Sequence, residues 1–319
     1  MQDEVILLTN PIHDDGMRIL DGLGEIVVAP DTRPDTLRDL AQGATGIIVR
    51  AQLPDDIVTH APRLRGMVRH GVGLDFIPVA SATEHGVPVA NLPGSNTASV
   101  AEFVFASLLN LRRPAASFDA LLRSEGWDVS RATASGTAEI GTTTLGIVGV
   151  GSIGRHVARI AGAGFGMRVL GSSRRKGRMP EGVEETDLDQ LFVEADAVLL
   201  SCALTDETRG MVDARRLGLM KPGAVLINVS RGPVVDTLAL CAALREGRLA
   251  GAALDVHETH PLPEDAEVLS VPNLQLSPHV AAITSTSMRA MSVGAAEEMR
   301  RILTGQDPEH FVNPEIRGL

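Results

Sequence analysis

Only two cysteines occur in the 319 residues, Cys202 and Cys241. Both sit in apolar stretches without metal-ligand spacing, which argues against a disulfide framework or a cysteine-built zinc site and fits buried thiols in a reducing compartment. Long apolar runs are also missing. None approaches the roughly 18 residues that suggest a membrane span, and the first apolar stretch, Val5 to Leu8, is too short and too acid-flanked for a signal peptide. Positive charge is scarce as well, because 29 lysines and arginines against 40 aspartates and glutamates leave a net charge of −11. A surface of that sign repels a phosphate backbone or an anionic membrane. The expectation is a cytoplasmic protein that uses no metal and has neither nucleic acid nor membrane as partner.

What remains is an ordinary globular composition. Hydrophobic residues make up 44% and charged residues 22%, so the chain has the means to fold throughout. Its length exceeds what one hydrophobic core usually organises and predicts two domains. Short apolar runs at Val5 to Leu8, Glu25 to Ala29, Gly46 to Val49, Gly66 to Arg69 and Val87 to Ala90 alternate with helical patterns. Such alternation predicts a parallel sheet covered by helices. A connecting helix is expected from Thr97 to about Arg123, bent near Pro114. A second series of strands and helices begins at Thr144, with later strands at 168–171, 197–203, 224–229, 251–256 and 274–277. The last helical pattern, Ser285 to Thr304, has no strand after it.

The second series opens with a buried strand that runs into Gly149-Val150-Gly151-Ser152-Ile153-Gly154 and continues as a helix. In this order the first glycine permits a tight turn, the second lets the backbone approach a pyrophosphate, and the third lets helix and strand pack closely. The N–H groups of Ser152 and Ile153 at the helix start then face the anion. About 20 positions past the first glycine, a carboxylate would accept from a ribose 2′-hydroxyl and repel a 2′-phosphate. This chain has none there and offers Ser173, Arg174 and Arg175 instead. Hydroxyls and cations suit a dianionic phosphate, so NADP is the expected cofactor, with NAD possible.

Several ordered motifs resemble the D-2-hydroxyacid dehydrogenase family, which includes glyoxylate/hydroxypyruvate reductases and phosphoglycerate dehydrogenases. They are His70-Gly71-Val72-Gly73-Leu74-Asp75, Asn96-Thr97 with Val100-Ala101-Glu102, the glycine loop, Ile227-Asn228-Val229-Ser230-Arg231-Gly232, Ala253-Leu254-Asp255-Val256 and Ser277-Pro278-His279. The resemblance implies two doubly wound α/β domains with parallel sheets. One is a flavodoxin-like substrate domain of residues 1–98 and 284–319, and the other a Rossmann-type cofactor domain of residues 99–283. It implies that Arg231 binds the substrate's carboxylate and carbonyl oxygen and that His279 exchanges a proton with the hydroxyl. Imidazole suits that exchange because its pKa lies near neutrality and the same group must act in both directions. Backbone N–H groups of Val72 and Gly73 would hold the carboxylate, Arg50 and His70 would lie near a variable substituent, and Thr97 and Asp255 would join the cofactor contacts. A small anionic 2-oxo or 2-hydroxy acid is the implied partner, in a homodimer formed through the cofactor domain.

Three positions depart from the family pattern: Pro78 stands where an aspartate is expected, Ala203 stands where the nicotinamide-side strand end usually has a proline, and the third falls among the catalytic residues. The catalytic glutamate is expected five residues after Asp255 and before a proline, where this chain has His260. His260 is then the candidate partner of His279, with Glu258 turning inward as the alternative. Preferred substrates are glyoxylate or hydroxypyruvate. The alternatives are a phosphoglycerate dehydrogenase-like enzyme and a non-catalytic protein that senses dinucleotides.

Overall fold

The computed structural model of the protein describes residues 3–318. The chain divides into two compact units: one runs to Asn96 and resumes at Ile283, and the other is Thr97–Ala282.

The first unit contains β1 (Val5–Leu8), β2 (Glu25–Val28), β3 (Gly46–Val49), β4 (Gly66–Arg69) and β5 (Val89–Ala90). All pair in parallel, in the order β2-β1-β3-β4-β5. Central β3 is buried at all of its positions, as a strand covered on both faces must be. Ile47 and Val49 pack on one face with Leu37 and Ile57, whereas Ile48 packs on the other with Met299 and Ile302. The latter two belong to the helix Ser285–Leu303, so the end of the chain completes the core built by its beginning. A capping box of Thr284 and Ser287 starts that helix. The strand expected from Val87 begins only at Val89. Pro88 has no N–H to give the ladder, although its carbonyl still accepts from Met67 N at 2.9 Å.

The second unit contains β6 (Thr144–Val148), β7 (Arg168–Ser172), β8 (Glu184–Glu185), β9 (Ala197–Leu200), β10 (Val225–Asn228), β11 (Gly251–Leu254) and β12 (Leu274–Leu276). Its parallel sheet has the order β12-β11-β10-β9-β6-β7-β8. Val225 and Ile227 of β10 face Val104 and Leu108 of the helix Thr97–Arg112, while Leu226 faces Leu240 and Leu244 of the helix Thr237–Arg245. The single helix expected from Thr97 to Arg123 is two, because the chain leaves helical geometry at Pro114 and resumes as Ala115–Glu125. β8 was not expected: it consists of two exposed glutamates at the sheet edge, and Glu184 is paired with Arg168 at 2.7 Å.

The strand order in each sheet reverses at one place, between β1 and β3 in the first and between β6 and β9 in the second. Open α/β sheets bind ligands beyond the carboxyl ends of their strands at such switch points.

Candidate active site

In the second unit the glycine turn follows β6. Gly149 has φ +91°, and a Cβ on it would lie 2.5 Å from Cys202 Cα. A Cβ on Gly154 would meet the carbonyl oxygen of Gly149 at 2.6 Å, so both positions require glycine. Nothing lies within 4 Å of where a Cβ of Gly151 would stand, which leaves the backbone open at the start of the helix Ser152–Phe165. That helix presents the first-turn N–H groups of Ser152 and Ile153, which no helical carbonyl can reach. Thr97 Oγ1 is a buried hydroxyl oxygen that finds no hydrogen-bond partner among the described residues. An open glycine cradle at a helix start and a buried hydroxyl without a partner fit a dinucleotide.

Past β7, Ser173 is half-buried and Arg174 and Arg175 are exposed. Lys176 is taken up by Asp187 at 3.0 Å. A carboxylate does reach this turn, though from β8 rather than β7: Glu185 accepts from Gly177 N at 2.8 Å. Sequence spacing gave no sign of it, because the pairing of β7 with β8 brings it there.

Three neighbouring strands deliver two of the expected catalytic residues and one expected cofactor contact. Arg231 follows β10, Asp255 follows β11 and His279 follows β12. Arg231 Nη1 donates to Ser230 O at 2.7 Å, and Asn228 Nδ2 donates to the carbonyl of Arg231 at 3.0 Å. His279 adopts φ +57°, an uncommon conformation for a residue with a side chain. Its surroundings hold it there. His279 N donates to Asp255 O at 2.8 Å, and the Asp255 carboxylate accepts from Ser277 Oγ at 2.6 Å, Val280 N at 2.8 Å and Ala281 N at 2.9 Å. Expected as a cofactor contact, Asp255 is only 2% exposed and serves as the anchor of the 277–281 segment.

The ring centroids of His260 and His279 are 5.7 Å apart, and those of His260 and His257 are 6.1 Å apart. Burial holds the His260 pKa below its ordinary value, and its electrostatic interactions with His257 and Arg231 lower it further against an opposing pull from Asp255. The neutral form of its imidazole is thereby favoured, and an imidazole in either form supplies no anion where a carboxylate would. Glu258 does not turn inward. It is exposed and accepts from Thr237 Oγ1 at 3.1 Å. His257, absent from the expectations, is buried with Nε2 at 2.9 Å from Ser277 O. A carbonyl only accepts, so Nε2 carries the proton and donates.

In the first unit, Arg50 lies past β3. Its backbone N donates to Thr9 Oγ1 at 2.8 Å, and its guanidinium donates to the carbonyl of Pro11. His70 departs from its expected place near a substituent. Its ring is 4% exposed, and its Nε2 lies 2.9 Å from the hydroxyl of Ser292 in the interior. Burial, helped by the charges of Arg50 and Arg69, pushes the His70 pKa down to about 3, so the ring is neutral and serves as support. The turn Val72–Gly73 lies just past β4 and is half-buried.

Among the described residues no cluster of His, Cys, Asp and Glu could hold a metal, and no helix is long and apolar enough to cross a membrane.

The sequence model for the NAD binding domain of D-isomer specific 2-hydroxyacid dehydrogenases matches residues 105–281. The chain is 34% identical to D-3-phosphoglycerate dehydrogenase of Methanocaldococcus jannaschii over 97% of its own length, spanning 59% of that protein. It is also 34% identical to glyoxylate reductase of Thermococcus litoralis, covering 98% of this chain and 97% of the relative. Among solved structures, it resembles the NADPH-dependent glyoxylate/hydroxypyruvate reductase of Sinorhizobium meliloti in complex with NADP and malonate. That likeness has a TM-score of 0.86 and 30% identity and covers 98% of each chain.

Proposed function

The chain belongs to the D-isomer specific 2-hydroxyacid dehydrogenases, which are NAD(P)-dependent oxidoreductases, and on that premise we propose that it reduces a small 2-oxo acid such as glyoxylate or hydroxypyruvate with NADPH. The observation that carries the reading is the delivery of Arg231 past β10 and of His279 past β12, the two strands that flank β11 in the sheet that also bears the Gly149–Gly154 turn. In this reading residues 99–283 form the cofactor domain, and residues 1–98 with 284–319 form the substrate domain.

A reduced nicotinamide supplies the hydride when it is bound. Val72 N and Gly73 N hold the substrate carboxylate. Arg231 contacts the carboxylate and the carbonyl oxygen, where a fixed guanidinium stabilises the charge that develops as the carbonyl is reduced. His279 gives its proton to that oxygen and takes it back in oxidation. Ser152 and Ile153 meet the pyrophosphate, and Thr97 offers its hydroxyl to the cofactor. The test is NADPH oxidation with a panel of 2-oxo acids, and absence of turnover with every one of them defeats the enzyme reading.

A phosphoglycerate dehydrogenase-like activity is the second reading. It is favoured by the Methanocaldococcus jannaschii relative and by Arg50, a cation able to meet a second anionic group. Including 3-phosphohydroxypyruvate in the panel separates the two. On the leading reading the protein is a cytoplasmic homodimer, and sedimentation equilibrium checks the dimer.

Cofactor choice gives a further expectation. Ser173, Arg174 and Arg175 contact the 2′-phosphate, and charge-assisted contacts are worth about 1.5–3 kcal/mol each. NADPH should therefore exceed NADH by at least about tenfold in kcat/KM, and Arg174→Ala should remove most of the difference. Equal use of both cofactors by the unaltered enzyme would contradict this part of the proposal.

A further inference from the structure

The carbonyl groups around the turn after β4 are all occupied. Asn91 Nδ2 donates to Val72 O at 2.7 Å, Arg69 Nε to Gly73 O at 3.0 Å, Arg69 Nη1 to His70 O at 3.1 Å and Leu92 N to Gly71 O at 2.9 Å. The same Arg69 Nη1 reaches Val49 O at the end of β3 at 2.7 Å, and the guanidinium lies over the Phe76 ring with its Cζ 4.6 Å from the centroid. By contrast, Val72 N and Gly73 N donate to nothing among the described residues. Consecutive amides left free while their carbonyls are tied back form a concavity that suits an anion.

From this we infer that Asn91 and Arg69 are positioning residues, which act through the turn by fixing its peptide planes so that the amides of Val72 and Gly73 face the substrate carboxylate. The inference rests on the proposed role of that turn. Both side chains come from the carboxyl ends of neighbouring strands, with Arg69 closing β4 and Asn91 following β5. An Nδ2 donor on Val72 O resists rotation of the Val72–Gly73 peptide, and such a rotation would turn the Gly73 amide away from the anion. Arg69 holds the peptides on either side, through His70 O and Gly73 O, and so limits the backbone rotations by which the two amides between them could turn. Neither side chain needs to touch substrate.

The experiment compares Asn91→Leu and Arg69→Met with the unaltered enzyme, using glyoxylate as substrate and oxamate as a non-reacting carboxylate. Each variant should raise the KM for glyoxylate and the Kd for oxamate about tenfold, equivalent to roughly 1.4 kcal/mol. The kcat should stay within about threefold and the Kd for NADPH should not move, a split expected when substrate binding rather than the chemical step is lost. Arg69→Lys, which keeps a donor at the site, should recover part of the loss. If leucine prevents folding, Asn91→Asp removes the donor at nearly constant size and should show the same split. Normal turnover with unmoved KM and Kd in the variants overturns the inference alone. An unaltered protein that turns over no 2-oxo acid and binds no oxamate overturns the reading of the turn, and this inference with it.

Discussion

Arg231→Ala should lower kcat/KM for the best 2-oxo acid by about 10³-fold or more, because removal of a single donor to a developing oxyanion already costs about 10²–10³ in kcat. Arg231 is also assigned to the ground-state carboxylate, so KM should rise as kcat falls. The arginine is well placed for this work. The carbonyl of Arg231 is held by Asn228 Nδ2, and Asn228 Oδ1 in turn accepts from Ser230 N at 3.0 Å and Ser230 Oγ at 2.8 Å. Asn228 is completely buried and closes β10, so the sheet fixes the backbone from which the guanidinium extends. NADPH affinity should survive, since the Gly149–Gly154 turn and Thr97 are untouched. Steady-state kinetics with a separate measurement of NADPH binding decide the matter, and near-normal turnover in Arg231→Ala would remove the proposed site.

Much of this arrangement was legible in the sequence, for reasons that also explain what was not. Strands such as β3 and β10 are buried on both faces and therefore read as unbroken apolar runs. The glycine turn was legible because each glycine answers a separate steric demand. β8 was hidden because an exposed edge strand of two glutamates carries no apolar signal. The supports of the catalytic segments were hidden for another reason: they are side chains that satisfy backbone groups far away in sequence. Asn91 lies 19 positions from Val72, and Ser277 lies 20 from His257. No spacing rule connects such pairs until the strands are placed side by side. His70 sat in a recognisable motif, yet only the structure shows its ring turned to Ser292 in the interior.

His279→Gln should reduce the rate by about 10²–10⁴-fold, the usual contribution of a positioned proton donor. A more discriminating result comes from His260. A carboxylate in its place would lie beside the His279 ring and favour the protonated form, whereas His260 has its own pKa held down by burial and by His257 and Arg231, and contributes no anion. Reduction needs the protonated donor, so its rate falls as pH rises through the kinetic pKa. His260→Glu supplies the anion at a site where the rings are now 5.7 Å apart. It should move that falling limb to higher pH by about one unit. Oxidation, which starts from the neutral imidazole, should lose activity over the same added range. Glu258→Gln should leave both profiles in place, because the Glu258 carboxylate is exposed and engaged with Thr237. Should Glu258→Gln instead abolish activity while His260→Glu leaves the limb unmoved, then Glu258 is the partner of His279 in the working enzyme and the role given to His260 fails. A profile in which the His260→Glu limb is displaced but broadened over more than one proton would mean that the two groups titrate as a coupled pair, with the kinetic pKa belonging to both.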